Sequence, residues 1–523
     1  MFNILAADGI ANEGIEQLRK TFAVEVRDKL SHDELLEIIP KFDALIVRSA
    51  SKVTADVLAR ATNLKIIGRA GVGVDNIDVA AATERGIIVI NSPDGNTIAA
   101  TEHTFAMMLA VSRNIPQANQ SMHAGAWDRK KFVGVELRNK VLGVIGLGRI
   151  GAGVAKRAQS FEMNVVAYDP FISEERAKNL GVKLVALDEL FKSADFITVH
   201  MPLTNQTRGM ISLPQMKLMK PTVRLINCAR GGIINEQDLA TALADGLVAG
   251  AAIDVFENEP LAQDSSLRTL PNVILTPHLG ASTVEAQIGV SVDVATGIID
   301  ALNGRPVATA VNLPHIPAHV LEKLAPFIDL ADRLGRTIIG MSKEPISSVV
   351  VRVSGKIADM NSSLISTSVL KGILSAALDN NVNLVNANIL AAERGIHLSE
   401  IKSNVARDFA NLVTVSANGN SVTGTLFGNE GRIVEINGFR VDVDPHARIL
   451  ICPHINRPGV IGLVGTLLAR HSVNISGMNV GKTEIEGTSL MVLTVDNPIP
   501  PHVLTEMKAL EPIFDVTPVA YDV

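Results

Sequence analysis

The sequence predicts an α/β chain. Two parallel-sheet units of the Rossmann/flavodoxin-like kind lead, and an α+β intervening unit and a small ferredoxin-like (βαββαβ) unit follow. Three observations predict it. Strand and helix signals alternate at short, regular spacing over residues 1–97 and 139–285, which implies parallel sheets joined by helices. A G-x-G-x-x-G made by Gly146, Gly148 and Gly151 sits between an apolar run and a helical pattern. Residues 449–523 run β-α-β-β-α-β.

In the first unit FNILAA, VEVRD, DALIVRS, LKIIGRA and IIVINS read as strands, and GIEQLRKTF, SHDELLEIIPKF, TADVLARA and DVAAATERG as helices. Thr97 to about Trp127 reads as one long helical stretch, with apolar positions Ile98, Phe105, Met108, Leu109 and Val111. The second unit carries strands at Val141–Ile145, VVAYD, DFITVH, RLINCA, VAGAAID and NVILTP, and a helix over 282–303 is expected to return to the first unit. Pro306, Pro314, Pro317 and Pro326 cluster as linkers often do. SVTGTLFGNEGRIVEINGFRVDV reads as short antiparallel strands turning at Gly428–Gly431 and Asn437-Gly438. The last unit gives RILICPHI, helix VIGLVGTLLARHS, NISGMNVGKT, TSLMVLTVD, helix PHVLTEMKALE and IFDVTPVAY. The expected domains are 1–97 with 286–312 on the substrate side, 98–285 for the dinucleotide, 313–448 between, and 449–523 at the end.

The glycine motif carries the first chemistry. Its glycines serve a tight turn, close approach of backbone to a pyrophosphate, and close packing of helix on strand. The helix N-terminus offers free N–H groups and a positive dipole end. Asp169, closing the next strand, can accept bonds from an adenosine ribose and would repel a 2′-phosphate, so NAD is expected over NADP.

Ligands on such sheets bind at strand C-termini. Polar residues stand there at Arg48, Ser49, Arg69, Gly71, Gly73, Asn91, His200, Arg230, Asp254 and His278. Alcohol oxidation must remove a proton while hydride leaves. Histidine suits that because its ordinary pKa is about 6.5. A carboxylate beside it orients the ring and stabilises the imidazolium. An arginine presents a planar fork to a substrate carboxylate. His278 is therefore read as acid/base, Glu259 as its partner and Arg230 as clamp and polariser. Arg48 and Arg69, at strand ends beside glycines, suit a phosphate. Arg129, Lys130 and Lys131 follow Trp127 as further cations.

The set GLGRIG, YDP, NCARGG, DVFENEP and PHLGAS resembles the D-isomer-specific 2-hydroxyacid dehydrogenases over residues 1–312. VRSASKVT, GRAGVGVDNID, NSPDGNT and WDRKKFVGVEL are similar to the branch of that family that oxidises 3-phospho-D-glycerate, the entry step of serine synthesis. Residues 318–448 resemble its extra intervening domain and the C-terminal unit resembles an ACT regulatory domain. The resemblance implies that Arg48, Ser49, Arg69, Gly71 and Val72 line the substrate cleft, with Asn96 and Thr97 in its wall. It implies that Val72, Gly146, Gly148, Arg149, Ile150, Gly151 and Asp169 hold NAD. It places Cys228, Ala229, Arg230, Asp254, His278, Leu279, Gly280 and Ala281 at the nicotinamide end. Met201 departs from a Thr often found there. His454, Asn456, Asn474 and Ile475 are implied as effector contacts, with L-serine the expected ligand and Asn456 standing where Asp is frequent. Arg440, His446 and Arg448 are candidates for a second anion site.

The 54 acidic and 48 basic residues leave a slight negative balance that does not suggest nucleic-acid binding. No apolar run reaches the roughly 18 residues of a membrane span, and no metal site is expected. Cys228 and Cys452 lie far apart, fitting a reducing cytoplasm. The long helix and a pairing ACT unit suggest a homo-oligomer, dimer or tetramer. Two other readings keep the scaffold: another 2-hydroxy acid as substrate, or an NAD-sensitive co-repressor.

Overall fold

The computed structural model describes residues 1–28, 30–305, 307–376, 378, 382–482 and 487–519. Short apolar runs give the first sheet: β1 (Asn3–Ala7), β2 (Ala23–Arg27), β3 (Ala44–Val47), β4 (Ile66–Arg69) and β5 (Ile88–Asn91). They are parallel, in the order β2-β1-β3-β4-β5. The second sheet holds β6 (Val141–Ile145), β7 (Asn164–Tyr168), β8 (Lys183–Leu184), β9 (Phe196–Val199), β10 (Arg224–Asn227), β11 (Gly250–Ile253) and β12 (Val273–Leu275). It too is parallel, in the order β12-β11-β10-β9-β6-β7-β8. Strand order reverses between β6 and β9, which opens a crevice at their C-terminal ends. Within these two sheets the two-residue β8 is the strand the sequence reading missed, being too short to show a pattern.

The helix Val284–Leu302 leaves the second sheet and closes the first. Ser291 Oγ accepts from the Ala11 N–H (3.1 Å) and Thr296 Oγ1 from Gln17 Nε2 (2.9 Å). Val294 and Ile298 lie over Gly68 in β4, where a methyl would stand 2.3 Å from Val294 Cγ1. Beyond the helix, Asn312 bonds the backbone of Ile87 and Val89.

The stretch 97–127 is not one helix. It is Thr97–Arg113 and Ile115–His123, broken at Asn114, whose φ is 52°. Asparagine tolerates that left-handed geometry and Pro116 begins the next helix, so the break is written locally. Pro326 also corrects the linker reading. It lies inside the helix Ala318–Met341, which starts directly after Pro317. Pro306 is outside the described residues.

That helix lays Leu330, Leu334 and Ile338 on a third sheet. The strands are β13 (Ser348–Gly355), β14 (His397–Ser403), β15 (Asn411–Ala417), β16 (Asn420–Phe427), β17 (Glu430–Ile436) and β18 (Phe439–Val443). Their order is β14-β13-β15-β16-β17-β18, antiparallel except for β13 with β14. Asn437 and Gly438 both have positive φ, the geometry a two-residue hairpin needs. The last unit is β19 (Arg448–Ile455), helix Val460–Arg470, β20 (Ile475–Lys482), β21 (Thr488–Val495), helix Pro501–Lys508 and β22 (Thr517–Val519). The antiparallel order β20-β21-β19-β22 gives the ferredoxin-like sheet that the sequence predicted. Ala520 and Tyr521 of the expected final strand lie outside the described residues.

Candidate active site

The glycine turn follows β6. Gly146 has φ 92° and its N–H donates to the Tyr168 carbonyl at 2.8 Å, which ties the turn to β7. A methyl on Gly151 would lie 2.0 Å from the Gly146 carbonyl oxygen, so only glycine lets the helix approach this closely. At Gly148 a methyl would meet nothing within 4 Å. That open side lies at the start of helix Arg149–Ser160, where unpaired N–H groups are available to phosphate. Asp169 accepts from the Leu147 N–H and the Phe171 N–H, both at 2.8 Å, and so sits beside the turn. Met201 also packs there, its Cγ 2.8 Å from where a Gly146 methyl would be. The Arg149 guanidinium reaches Asp94 of the first unit, Nε to Oδ1 2.5 Å. Asn96 and Thr97, in the expected wall, begin the helix that follows.

Asp254 organises the loop after β12. It is fully buried. Its Oδ1 accepts from Thr276 Oγ1 (2.5 Å) and the Leu279 N–H (2.8 Å), and its Oδ2 from the Gly280 N–H (2.9 Å). Burial pushes the carboxyl up, but the hydrogen bonds from His103, Thr276 and Leu279 outweigh it and hold it below the ordinary value. Ala281 continues that loop. Cys228 lies beside this cluster, its thiol pushed up to about 12 by burial and the Asp254 charge. The thiol is therefore neutral at physiological pH.

His278 has φ 56°, a left-handed geometry that costs roughly 1–2 kcal/mol. Its own N–H is held by the Asp254 carbonyl at 2.8 Å. The strained backbone turns the ring so that Nδ1 lies 2.8 Å from Glu259 Oε2. Glu259 Oε1 accepts from the Phe256 N–H at 3.1 Å. Burial raises the Glu259 pKa, yet the bonds from His278 and Phe256 bring it below the ordinary value, so it is an anion at neutral pH. With Nδ1 engaged, Nε2 is the nitrogen left to exchange a proton.

Arg230 ends the turn after β10. Asn227 shapes that turn by donating to the Arg230 carbonyl (2.9 Å) and accepting from the Ala229 N–H (3.0 Å). Across the cleft, Arg69 is pushed down to about 10 by burial and by the charges of Arg230 and Arg48, with Asp75 and Asp8 acting the other way. The charges of Arg230 and Arg48 thus act on Arg69, and the Arg69 Nη1 and Arg230 Nη2 lie beside Gly71 and Gly73 of one loop. Val72 and Gly71 form the floor of the cleft, where Asn91 Nδ2 holds the Val72 carbonyl at 2.6 Å. Ser49 is exposed beside Arg48. Arg129, Lys130 and Lys131 form an exposed 3₁₀ turn.

Three residues of this site gave no sequence signal. Asp75, His103 and Thr276 act on Arg230, Asp254 and the His278 loop, and only the fold brings them there.

Three segments of the chain match known families. Residues 105–280 match the D-isomer specific 2-hydroxyacid dehydrogenase NAD binding domain, 323–437 the D-3-phosphoglycerate dehydrogenase intervening domain, and 450–515 an AHAS small subunit-like ACT domain. Over 521 residues the chain is 48% identical to a D-3-phosphoglycerate dehydrogenase of Archaeoglobus fulgidus, covering 98% of this chain and 99% of that one. The chain belongs to the D-3-phosphoglycerate dehydrogenase family. A relative of the same description in Bacillus subtilis is 44% identical over 521 residues, with 99% of each chain covered. Among solved structures, the NAD-dependent formate dehydrogenase of Staphylococcus aureus in complex with NAD matches with TM-score 0.54 and 30% identity, over 58% of this chain and 96% of that one. As a member of this family the chain is an oxidoreductase with NAD as cofactor, and the open side of Gly148, the helix N-terminus and Asp169 fit that cofactor.

The residues expected as effector contacts in the last unit are less convergent. His454 is buried with Nδ1 2.9 Å from the Ile455 carbonyl. Asn456 is exposed, and its N–H is held by the Gly487 carbonyl at 2.9 Å. Asn474 donates to Asp496 at 2.6 Å, and Ile475 packs against the core of its own unit. Arg440, His446 and Arg448 do not form an anion site. His446 lies between Asp329 (3.0 Å) and Asp444 (3.2 Å), and Arg440 pairs with Asp408 (3.2 Å), so carboxylates already occupy the neighbourhood. Among the described residues no helix is long and apolar enough to cross a membrane.

Proposed function

We propose that the chain oxidises 3-phospho-D-glycerate to 3-phosphohydroxypyruvate, the first step of phosphorylated L-serine biosynthesis. The observation that carries this reading is the His278–Glu259 pair at 2.8 Å beside a cleft where the charges of Arg230 and Arg48 act on Arg69.

Arg230 takes the substrate carboxylate and polarises the reacting carbon. Arg48 and Arg69 take the phosphate, with Ser49 and Gly71 at the cleft floor. His278 Nε2 removes the proton of the C2 hydroxyl, and the Glu259 carboxylate stabilises the imidazolium that results. NAD supplies the hydride acceptor when bound. Gly146, Gly148, Arg149, Ile150 and Gly151 hold its pyrophosphate side and Asp169 its ribose. Val72, Cys228, Ala229, Asp254 and residues 278–281 hold the nicotinamide end.

The ACT-like unit is read as an effector domain for L-serine through His454, Asn456, Asn474 and Ile475. An uncharged Asn456 weakens any grip on the serine amine. Exposed Ile115, Met122, Trp127 and Val133 support pairing of two copies through the 97–133 region. Arg129, Lys130 and Lys131 could then reach a neighbour's cleft. The two cysteines, both free, suit a reducing cytoplasm.

The test is NADH formation by the purified chain with 3-phospho-D-glycerate, against D-lactate and glycolate controls, with and without millimolar L-serine. Turnover confined to the phosphorylated acid supports the reading, and suppression by serine supports the effector site. Turnover of an unphosphorylated acid alone would replace the substrate. Tight NAD binding with no turnover of any hydroxy acid would favour a co-repressor.

A further inference from the structure

Across the cleft from Arg230 stands Asp75, a residue the proposed reaction does not use. It follows β4 in the stretch GVGVDNID, whereas Arg230 follows β10 in the other sheet. Arg230 Nε donates to Asp75 Oδ2 at 2.9 Å, and Nη1 donates to the Ala229 carbonyl at 2.6 Å. Nη2 makes no hydrogen bond among the described residues. Two of the three nitrogens therefore fix the plane of the guanidinium, and its remaining N–H groups are free for a ligand.

A methyl at Gly73 would lie 1.8 Å from Arg230 Nη2 and 2.7 Å from Asp75 Oδ2. The ion pair thus closes directly over this glycine, and a side chain there would have to displace it. The Asp75 side chain is 65% exposed, and an ion pair at that exposure adds little to folding. Its effect falls on the arginine it aims. Bidentate capture of a carboxylate depends on the orientation of the fork as well as on its charge.

We propose that Asp75 is a positioning residue for the substrate clamp: it sets the plane of the Arg230 guanidinium and ties it to the unit that carries Arg48 and Arg69. The inference rests on the reaction proposed above. Asp75 also offsets the mutual repulsion of Arg69 and Arg230, so that two cations can face one substrate.

The experiment compares the full-length chain with Asp75→Ala and Asp75→Asn, after the wild type has been shown to oxidise 3-phospho-D-glycerate. Asp75→Ala is expected to raise KM for the hydroxy acid about tenfold, the value of one hydrogen bond to a charged group. Asp75→Asn, which keeps an oxygen acceptor, should give a smaller rise. The same fold-change should appear in the inhibition constant of unphosphorylated D-glycerate, because Arg230 serves the carboxylate. NAD affinity and Tm should not move. A fall in KM would overturn the proposal, since Asp75 would then be competing with substrate for the clamp. An unchanged KM, a penalty confined to the phosphorylated acid, or joint loss of Tm and NAD affinity would overturn it equally. If the wild type oxidises a different hydroxy acid, the proposed reaction fails, and the same KM comparison on that acid still decides the role of Asp75.

Discussion

His103 Nε2 lies 3.1 Å from Asp254 Oδ1. One member comes from the helix that joins the two parallel-sheet units, the other from the end of β11. Through Asp254 the contact reaches Thr276, Leu279 and Gly280, and so the loop that presents His278.

The buried Asp254 makes a pH prediction. Its carboxyl is held below the ordinary value in the folded chain. A depressed carboxyl adds stability that is present above its unfolded pKa and is lost as pH falls through the folded one. Denaturant titrations of wild type and Asp254→Asn should therefore differ most at neutral pH and converge in acid. At pH 7 the variant should also bind NAD more weakly.

His278→Ala should cut kcat by roughly 10²–10⁴, the usual yield of a positioned acid/base. NAD affinity, read by quenching of the single tryptophan or by calorimetry, should change little. Loss of both together would mean that the ring is structural. Glu259→Gln should lower kcat less, because the ring keeps a hydrogen-bond partner and loses only the charge.

Asp515 predicts a second acid transition. Although burial pushes its carboxyl up, bonds from Lys343, Lys508 and the Val516 N–H bring it down to about 2. Lys343 belongs to the intervening unit and Lys508 to the last one, at 2.9 and 3.1 Å. The stabilisation holds above the ordinary carboxylate range and disappears as pH falls toward 2. Asp515→Asn should weaken the docking of the last unit at neutral pH by about 1 kcal/mol, visible as earlier protease cleavage between the two.

The break at Asn114 can be tested by substitution. Asn114→Gly should be close to neutral in Tm, whereas Asn114→Val should cost about 1–2 kcal/mol, because a β-branched residue resists the left-handed geometry.

Much of the molecule was readable because its signals are local. The glycine turn, the alternating runs of both parallel sheets and the hairpin at Asn437-Gly438 each lie within a few consecutive residues. The pairing of His278 with Glu259 was readable from chemical need, since an acid/base histidine requires a partner. The helix break was missed because Asn114 is a single residue in an otherwise helical pattern. Pro326 misled because proline usually ends helices, yet here it falls where helix Ala318–Met341 is already packed on its sheet. Asp75, His103 and Thr276 were unreadable for another reason. Each acts on a partner far away in sequence, and nothing short of the fold says which carboxylate meets which cation. The basic trio Arg440, His446 and Arg448 shows the converse, since cations that looked convergent in sequence each found a carboxylate or a carbonyl instead.

The crossing of helix Val284–Leu302 onto the first sheet has a consequence for biosynthesis. Val294 and Ile298 cover Gly68, and Asn312 ties down the strand edge at Ile87 and Val89. The ribosome therefore releases β1 to β5 long before the helix that seals one face of them exists. The second sheet, whose strands are contiguous in the chain, can finish first. That first sheet, about a sixth of the chain, has to wait, partly uncovered, for a segment made about two hundred residues later, and over that interval its apolar face is open to non-native contacts.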